Sequence, residues 1–395
     1  MTANQPLRQR IYSLDLLRGL VMVLMALDHT RDFFHFDSFL HNPLDIATTT
    51  PWLYFTRWIT HYCAPTFVFL SGVSIFLQAL RKSGNELSVF LLKRGSWLLA
   101  VELIVVTFGW SFDAHFPVLV LGVIGAIGIS MMFMAIIVRL PYAAALAIGL
   151  IITFGHNALD FLPSTHSGFF WDLARNGDFS FHQLTPHLAI AIVYPIIPWL
   201  GLMVLGYCAG KLFAPSFDPH LRKLRLLQLG TGLLVLFAIV RSVNIYGDPQ
   251  PWTQQHDLTG SVLSFLDVDK YPPSLLYVCI TIGPGLLFLA FAERTNNKLS
   301  RTVSVFGRVP FFYYMLHLYL IHLLCMISFL AHGHSFAEGA RPVDGIPFNF
   351  LVPGEGYRLR EVYMIWIAIV LSLYPLCAWF SKLKQRSDAW WLSYL

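Results

Sequence analysis

Charge is what this sequence has least of. Asp, Glu, Lys and Arg supply only 12% of its 395 residues, against 56% hydrophobic, and its mean hydropathy is +0.60. That balance excludes an ordinary soluble domain, which carries about twice as much charge, and marks an integral membrane protein. Cysteine is scarce too. Cys63, Cys208, Cys279, Cys325 and Cys377 lie inside or beside apolar segments and lack the short spacings of metal sites or disulfide frameworks, so they read as packing residues. No Gly-rich phosphate loop follows a strand pattern, and the glycines of GVIGAIGIS (122–130) suit tight helix packing instead. There is no internal repeat or low-complexity tract, and no convincing cleavable signal. The first apolar run begins near Leu14, carries charges and lacks a small-residue cleavage site, so it is expected to stay as a membrane helix. The net charge of +5 arises from short basic clusters between apolar stretches, which is the pattern of membrane topology and not of a nucleic-acid surface.

With about 20 apolar residues needed to cross the hydrocarbon core, the sequence predicts an all-α polytopic transmembrane bundle forming a single domain over 1–395. Ten spans centre on 14–34, 62–80, 95–112, 117–138, 141–158, 187–209, 226–245, 272–292, 304–330 and 361–381. PWLYFTRWITHY (51–62) reads as an interfacial helix leading into the second span, because its Trp and Tyr residues suit that depth. An N-inside, C-inside arrangement places eighteen of the 27 Lys and Arg residues on the inner side and seven on the outer, with Arg18 and Arg241 within the spans. The outer loops 35–50, 159–186, 246–271 and 331–360 are then long and rich in His, Asp, Gly, Pro and aromatics, and loops of that length are usually functional.

The first span, SLDLLRGLVMVLMALDHTRDFF (13–34), ends in Asp28, His29, Arg31 and Asp32. Eleven residues turn an α-helix through about 1100°, so Arg18 and His29 lie within about 20° of one face and about 16 Å apart along the axis. One reading makes 28–32 the solvated end of the helix, with Asp28 and Arg31 as an i,i+3 pair. The other makes it a functional site, since ionisable groups inside a span are costly, and the chain stays apolar beyond them. His61, Glu102, Arg241, Asn244, His317 and His322 are further polar groups at membrane depth. A histidine beside a carboxylate is the usual general base. His29 with Asp28 is therefore the first candidate, His61 the second and the nearest partner in depth for Asp28, which points about 100° away from His29. Arg18 and Arg241 are expected to meet an anionic donor or a carboxylate such as Glu102, and His317 to orient substrate in the pocket. No metal is expected: His29 with His35 and His317 with His322 miss the i,i+4 spacing, and no set completes a tetrahedral site.

RIYSLDLLRGLVMVLMALDHTRDFF, THYCAPTFVFLSGVSIFLQALRK, KYPPSLLYVCITIGPGLLFLAFAE and GRVPFFYYMLHLYLIH together resemble bacterial membrane proteins grouped with heparan-α-glucosaminide N-acetyltransferase, over residues 10 to about 330. The chain also looks like the wider transmembrane acyltransferase superfamily, whose first span carries an Arg, ten residues and a His, the spacing of Arg18 and His29. The resemblance implies acetyl or other acyl transfer from cytoplasmic coenzyme A thioester to an extracytoplasmic hydroxyl or amine, in a bacterial inner membrane. Arg18, Arg241 and His317 would then serve the acetyl-coenzyme A donor. In the heparan enzyme the implied catalyst is a histidine slightly after the first span, where this chain offers His35, His41 and His61. A sugar, glycan or small molecule remains open as acceptor, as does a homodimer. The rival class is a proton-coupled transporter or channel for a polar solute, although the paired halves usual in transporters are not seen.

Overall fold

The computed structural model describes residues 11–162, 168–341, 348–387 and 389–393; Arg8 and Arg10 of the inner basic set lie outside them. Helix α1 (Tyr12–Phe34) runs unbroken through the charged cluster and ends where His35 turns extended. Helix α2 (Pro51–Thr60) opens with a Thr50 side-chain cap and a proline in its first turn, both of which suit a helix start. It bends at His61 and Tyr62 into α3 (Cys63–Ala79). Helix α4 (Gly84–Val101) begins with a Ser83/Glu86 capping box and passes through a π-helical turn, Glu102–Val106, into α5 (Thr107–Ser111). Next come β1 (Val118–Leu121), α6 (Val123–Ile137), α7 (Tyr142–Gly155), the single turn α8 (Phe169–Trp171), β2 (Ser180–Thr185), β3 (Leu188–Ile192) and α9 (Ile196–Ala209). The chain closes with α10 (Pro219–Val243), α11 (Leu258–Leu266), α12 (Leu275–Ala292), α13 (Lys298–Arg308), α14 (Pro310–Ala331), α15 (Phe336–Gly339) and α16 (Leu359–Arg386).

Among the described residues, seven helical stretches are long and apolar enough to cross a membrane: Pro51–Ala79, Tyr142–Phe161, Ile196–Phe213, Pro219–Val243, Leu275–Ala292, Pro310–Ala331 and Leu359–Arg386. This is a membrane-type helix bundle. The other three expected spans fall on α1, with its internal charges, on the α4–α5 stretch holding Lys93, Arg94 and Glu102, and on α6, which is only 15 residues long.

The expectation of helix throughout 117–138 and 187–209 is corrected at their starts. Val118–Leu121 and Leu188–Ile192 are strands in a three-stranded sheet of order β1-β3-β2, with Val118 opposite Ala189 in a parallel pair and Thr185 opposite Leu188 in an antiparallel hairpin. Short apolar runs such as VLVL and LAIAI read alike as buried helix or strand; a partner about seventy residues away decides. The buried residues Leu121, Ile190 and Ile192 pack against Leu99 and Leu103, so the sheet caps the α4 end of the bundle.

Backbones meet directly where glycines allow it. A Cβ on Gly307 of α13 would lie 1.8 Å from the Asp15 carbonyl oxygen of α1, and one on Gly206 of α9 would lie 2.1 Å from that of Phe69 on α3. Lipid gives helices no hydrophobic reason to associate, so such close backbone approach has to hold them. We predict that Gly307→Val lowers stability by about 1–3 kcal/mol through overpacking, whereas Gly232→Ala, with nothing within 4 Å, does not lower it. Thermal unfolding midpoints of the two detergent-solubilised variants check this.

Candidate active site

The charges at the end of α1 are buried, which removes the reading of a solvated helix end. The side chains of Asp28 and Arg31 are only 13% and 6% exposed. The Asp28 carboxylate accepts from Arg57 Nη1 at 3.0 and 3.2 Å and from Thr60 Oγ1 at 2.9 Å, and Arg31 Nη1 stands 3.0 Å from Oδ1. Arg31 also donates to Asp32 at 2.5 Å. Removing one member of such a buried set typically costs about 3–5 kcal/mol, because it strands a charge. Arg57 was counted from sequence among the outer basic residues, yet it is the main partner of Asp28.

Asp28 therefore does not serve His61, and His29 is not paired with a carboxylate. His29 Nδ1 lies 2.9 Å from His317 Nε2, and His317 Nδ1 lies 2.9 Å from the Tyr313 carbonyl oxygen. A carbonyl only accepts, so His317 Nδ1 carries the hydrogen and its Nε2 is the acceptor for His29 Nδ1–H. The basic nitrogen left to His29 is Nε2. Trp110, at the end of α5, packs edge-on to the His29 ring at 4.7 Å, with Tyr314 at 6.2 Å. The arrangement is a base, a second group fixing its tautomer, and aromatic walls that exclude water. Sequence reasoning put His317 in the pocket but did not foresee its bond to His29, which joins positions 288 apart. Trp110 carried no polar signal that would have found it.

His61 is buried and neither of its ring nitrogens has a hydrogen-bond partner among the described residues; its carbonyl accepts from Tyr277 Oη at 2.8 Å. Lys270, Arg57, Asp28 and Arg31 surround it electrostatically. Lys270 is itself buried and was also missed, as one of the outer-loop cations. Its ammonium lies 4.9 Å from the Tyr271 ring centroid and 5.9 Å from that of Tyr194, and the Tyr271 oxygen accepts from both Lys270 and Tyr194. Burial would raise the Tyr271 phenol, but Lys270 and Arg57 bring it below its ordinary value.

The remaining candidates are dispersed. Arg18 sits at the junction of α1, α3 and α13, reaching Asp15 Oδ1, the Gly307 carbonyl and Ser74 Oγ, each at 3.3 Å. Arg241 lies near the other end of the bundle, donating to the carbonyls of Phe265, Gln250, Ser264 and Asp267 with Asp248 at 3.7 Å. Glu102 meets neither arginine. Its oxygens accept from the backbone amides of Gly122 and Gly125, at 2.9 and 3.1 Å, at the start of α6, where amides and the helix dipole favour a carboxylate. The glycine run is tightly packed as expected: Gly128 faces the Gly95 backbone, and Gly122 and Gly125 lie against the Glu102 side chain. His322 is held between the Gly109 and Asn349 carbonyls as a cross-tie. His41 is exposed and bonded to Asp37, and His35 lies at the end of α1, its Nδ1 accepting from the Asp37 amide. A shallow open cleft lies beside Phe33, one helical turn beyond His29, and is lined also by Cys325, Ser328, His332, Glu355 and Tyr357.

The sequence profile described as "Heparan-alpha-glucosaminide N-acetyltransferase, catalytic" matches residues 10–246, more than half of the chain. That stretch contains Asp28, His29, Arg57 and His61 but neither Lys270 nor His317. No curated protein matches the chain.

Beside the site, loop 246–271 gathers carboxylates. Burial and then Asp248 and Asp267 push Asp269 up from an ordinary 3.8 to about 7, and burial with Asp248 pushes Asp267 to about 6. A carboxyl whose folded pKa is raised contributes stability that is complete below its unfolded pKa and is lost as pH rises through the folded one. We predict that the thermal unfolding midpoint falls as pH rises from about 4 towards 8, and that Asp269→Asn flattens part of this slope; an unchanged slope in the variant refutes it.

Proposed function

Because the chain belongs to the heparan-α-glucosaminide N-acetyltransferase family, we propose that this multi-pass membrane protein transfers an acetyl group from cytoplasmic acetyl-coenzyme A to a hydroxyl or amine of an acceptor on the outer side of the bacterial inner membrane. The acceptor is a sugar or glycan. In this reading all ten expected spans cross the bilayer as one domain over 1–395, with both termini inside, and the long loops around the His29 site face outward.

The observation that carries this reading is the His29–His317 pair. His29 Nε2, its free basic nitrogen, takes the proton of the acceptor O–H or N–H as that atom attacks the acetyl carbonyl carbon. The C–S bond to coenzyme A then breaks, and the proton passes from imidazolium to the departing thiolate, so atoms and charge balance. His317 stabilises the imidazolium through the 2.9 Å bond, and Asp28, on the same helix, supplies negative charge nearby. His29 thus acts as the base and Asp28 as an electrostatic support, while His317 orients the base. Arg18 stands nearest the inner end, its side chain 18% exposed, and is suited to the anionic donor. Arg241, with its bonds taken by carbonyls, is suited to holding the outer loop. The transporter alternative lacks a comparable support: Arg18, Glu102, Arg241 and His322 are each held by near neighbours at separate places in the bundle.

Two experiments test the proposal. His29→Ala should lower acetyl transfer about 10²–10⁴-fold, the usual contribution of a general base, with acetyl-coenzyme A binding kept; His317→Ala should lower it less, and His35→Ala should change it little. Full turnover in His29→Ala, or loss confined to His35→Ala, sinks the assignment. For topology, the five native cysteines are all buried, so a cysteine at Leu258, 81% exposed, should be labelled by an impermeant thiol reagent applied from outside. Labelling only from the cytoplasmic side reverses the orientation.

A further inference from the structure

The buried polar cluster beside His29 holds more positive charge than it neutralises. Arg31, Arg57 and Lys270 face Asp28 and Asp32. Asp28 is satisfied by Arg57, Thr60 and Arg31, and Asp32 takes Arg31. Lys270 has no carboxylate partner among the described residues; its ammonium is bounded by Tyr271 and Tyr194. The neighbouring Asp269 belongs instead to the group with Asp248 and Asp267. His61, which feels the charges of Arg57 and Lys270, is 2% exposed, with both ring nitrogens unpartnered among the described residues. A buried ammonium costs several kcal/mol unless an anion or hydrogen bonds compensate it, and here one phenol oxygen and two ring faces do so only partly.

We propose that Lys270, Arg57 and His61 form a subsite for a single anionic group, a carboxylate or a phosphate, on the acceptor molecule. Lys270 and Arg57 supply the charge, and His61 supplies an N–H from whichever tautomer the ligand selects. The proposal rests on reading this cluster as the acceptor side, and it narrows the acceptor to an acidic or phosphorylated sugar. Neutral sugars would leave the cation uncompensated.

The test is thermal unfolding of the full chain in detergent, at matched ionic strength, with glucuronate, glucose 6-phosphate or glucose. Ligand that binds the folded state raises the midpoint. Glucuronate or glucose 6-phosphate should raise it and glucose should not, and whichever anion acts at lower concentration tells a carboxylate site from a phosphate site. Lys270→Met should weaken the anionic effect at least tenfold in concentration, and Lys270→Arg should restore it. If Lys270→Met does not fold, Tyr271→Phe, which removes the oxygen that holds the ammonium, should weaken the effect several-fold. An equal shift with glucose, no shift with either anion, or an anionic shift unchanged in a folded variant overturns the proposal. Acetyl-coenzyme A in the same assay keeps the two readings apart: its failure to shift the midpoint counts against the donor and leaves the anion result standing.

Discussion

A buried carboxylate has to find its counter-charge inside the protein, because solvent does not reach it. The pairing of Asp28 with Arg57 meets that requirement, and much of the site follows from it. Arg57 lies on α2, so satisfying Asp28 draws α2 against α1. Thr60, one turn on, adds a hydroxyl to the same carboxylate. The bend at His61 and Tyr62 then redirects the chain into α3 and leaves the His61 ring next to the pair. Meanwhile His29, the neighbour of Asp28 in sequence but about 100° round the helix, faces α14 and finds His317. One helix end thus presents two chemically distinct faces, an ion-paired one and an imidazole one.

In the proposed mechanism the two faces divide labour: the neutral His317 imidazole orients the His29 ring and adds no charge. Asp28 still contributes a field, already shared among two arginines and a threonine.

Much of the bundle and the identity of the polar residues in α1 were legible in the sequence, because apolar length and the Arg18–His29 spacing are local properties. Four kinds of fact were not. The strands at Val118 and Leu188 depend on pairing between segments about seventy residues apart, which periodicity cannot see. The partners of Asp28 and His29 come from α2 and α14, so adjacency in sequence suggested Asp28 for His29, and matched depth suggested His61 for Asp28, where contact chose others. Lys270 and Arg57 looked like loop and interface cations because a topology count sorts basic residues by position along the chain, not by burial. Glu102 was recognised as unusual for a span, but its compensation by backbone amides of Gly122 and Gly125 has no side-chain signature at all. Placing a glycine run at a helix start was the one available hint.

Arg241 holds its loop through carbonyl oxygens of Gln250, Ser264, Phe265 and Asp267. Every residue type has such an oxygen. The anchor therefore reads the path of the backbone and is indifferent to most of what is written on it. The exposed side chains of 246–271 are free to be exchanged while the loop stays docked on α10, much as an antibody framework carries different loops on one scaffold. Under the proposed topology, in which this loop faces the acceptor, that separates the evolution of specificity from the maintenance of the bundle.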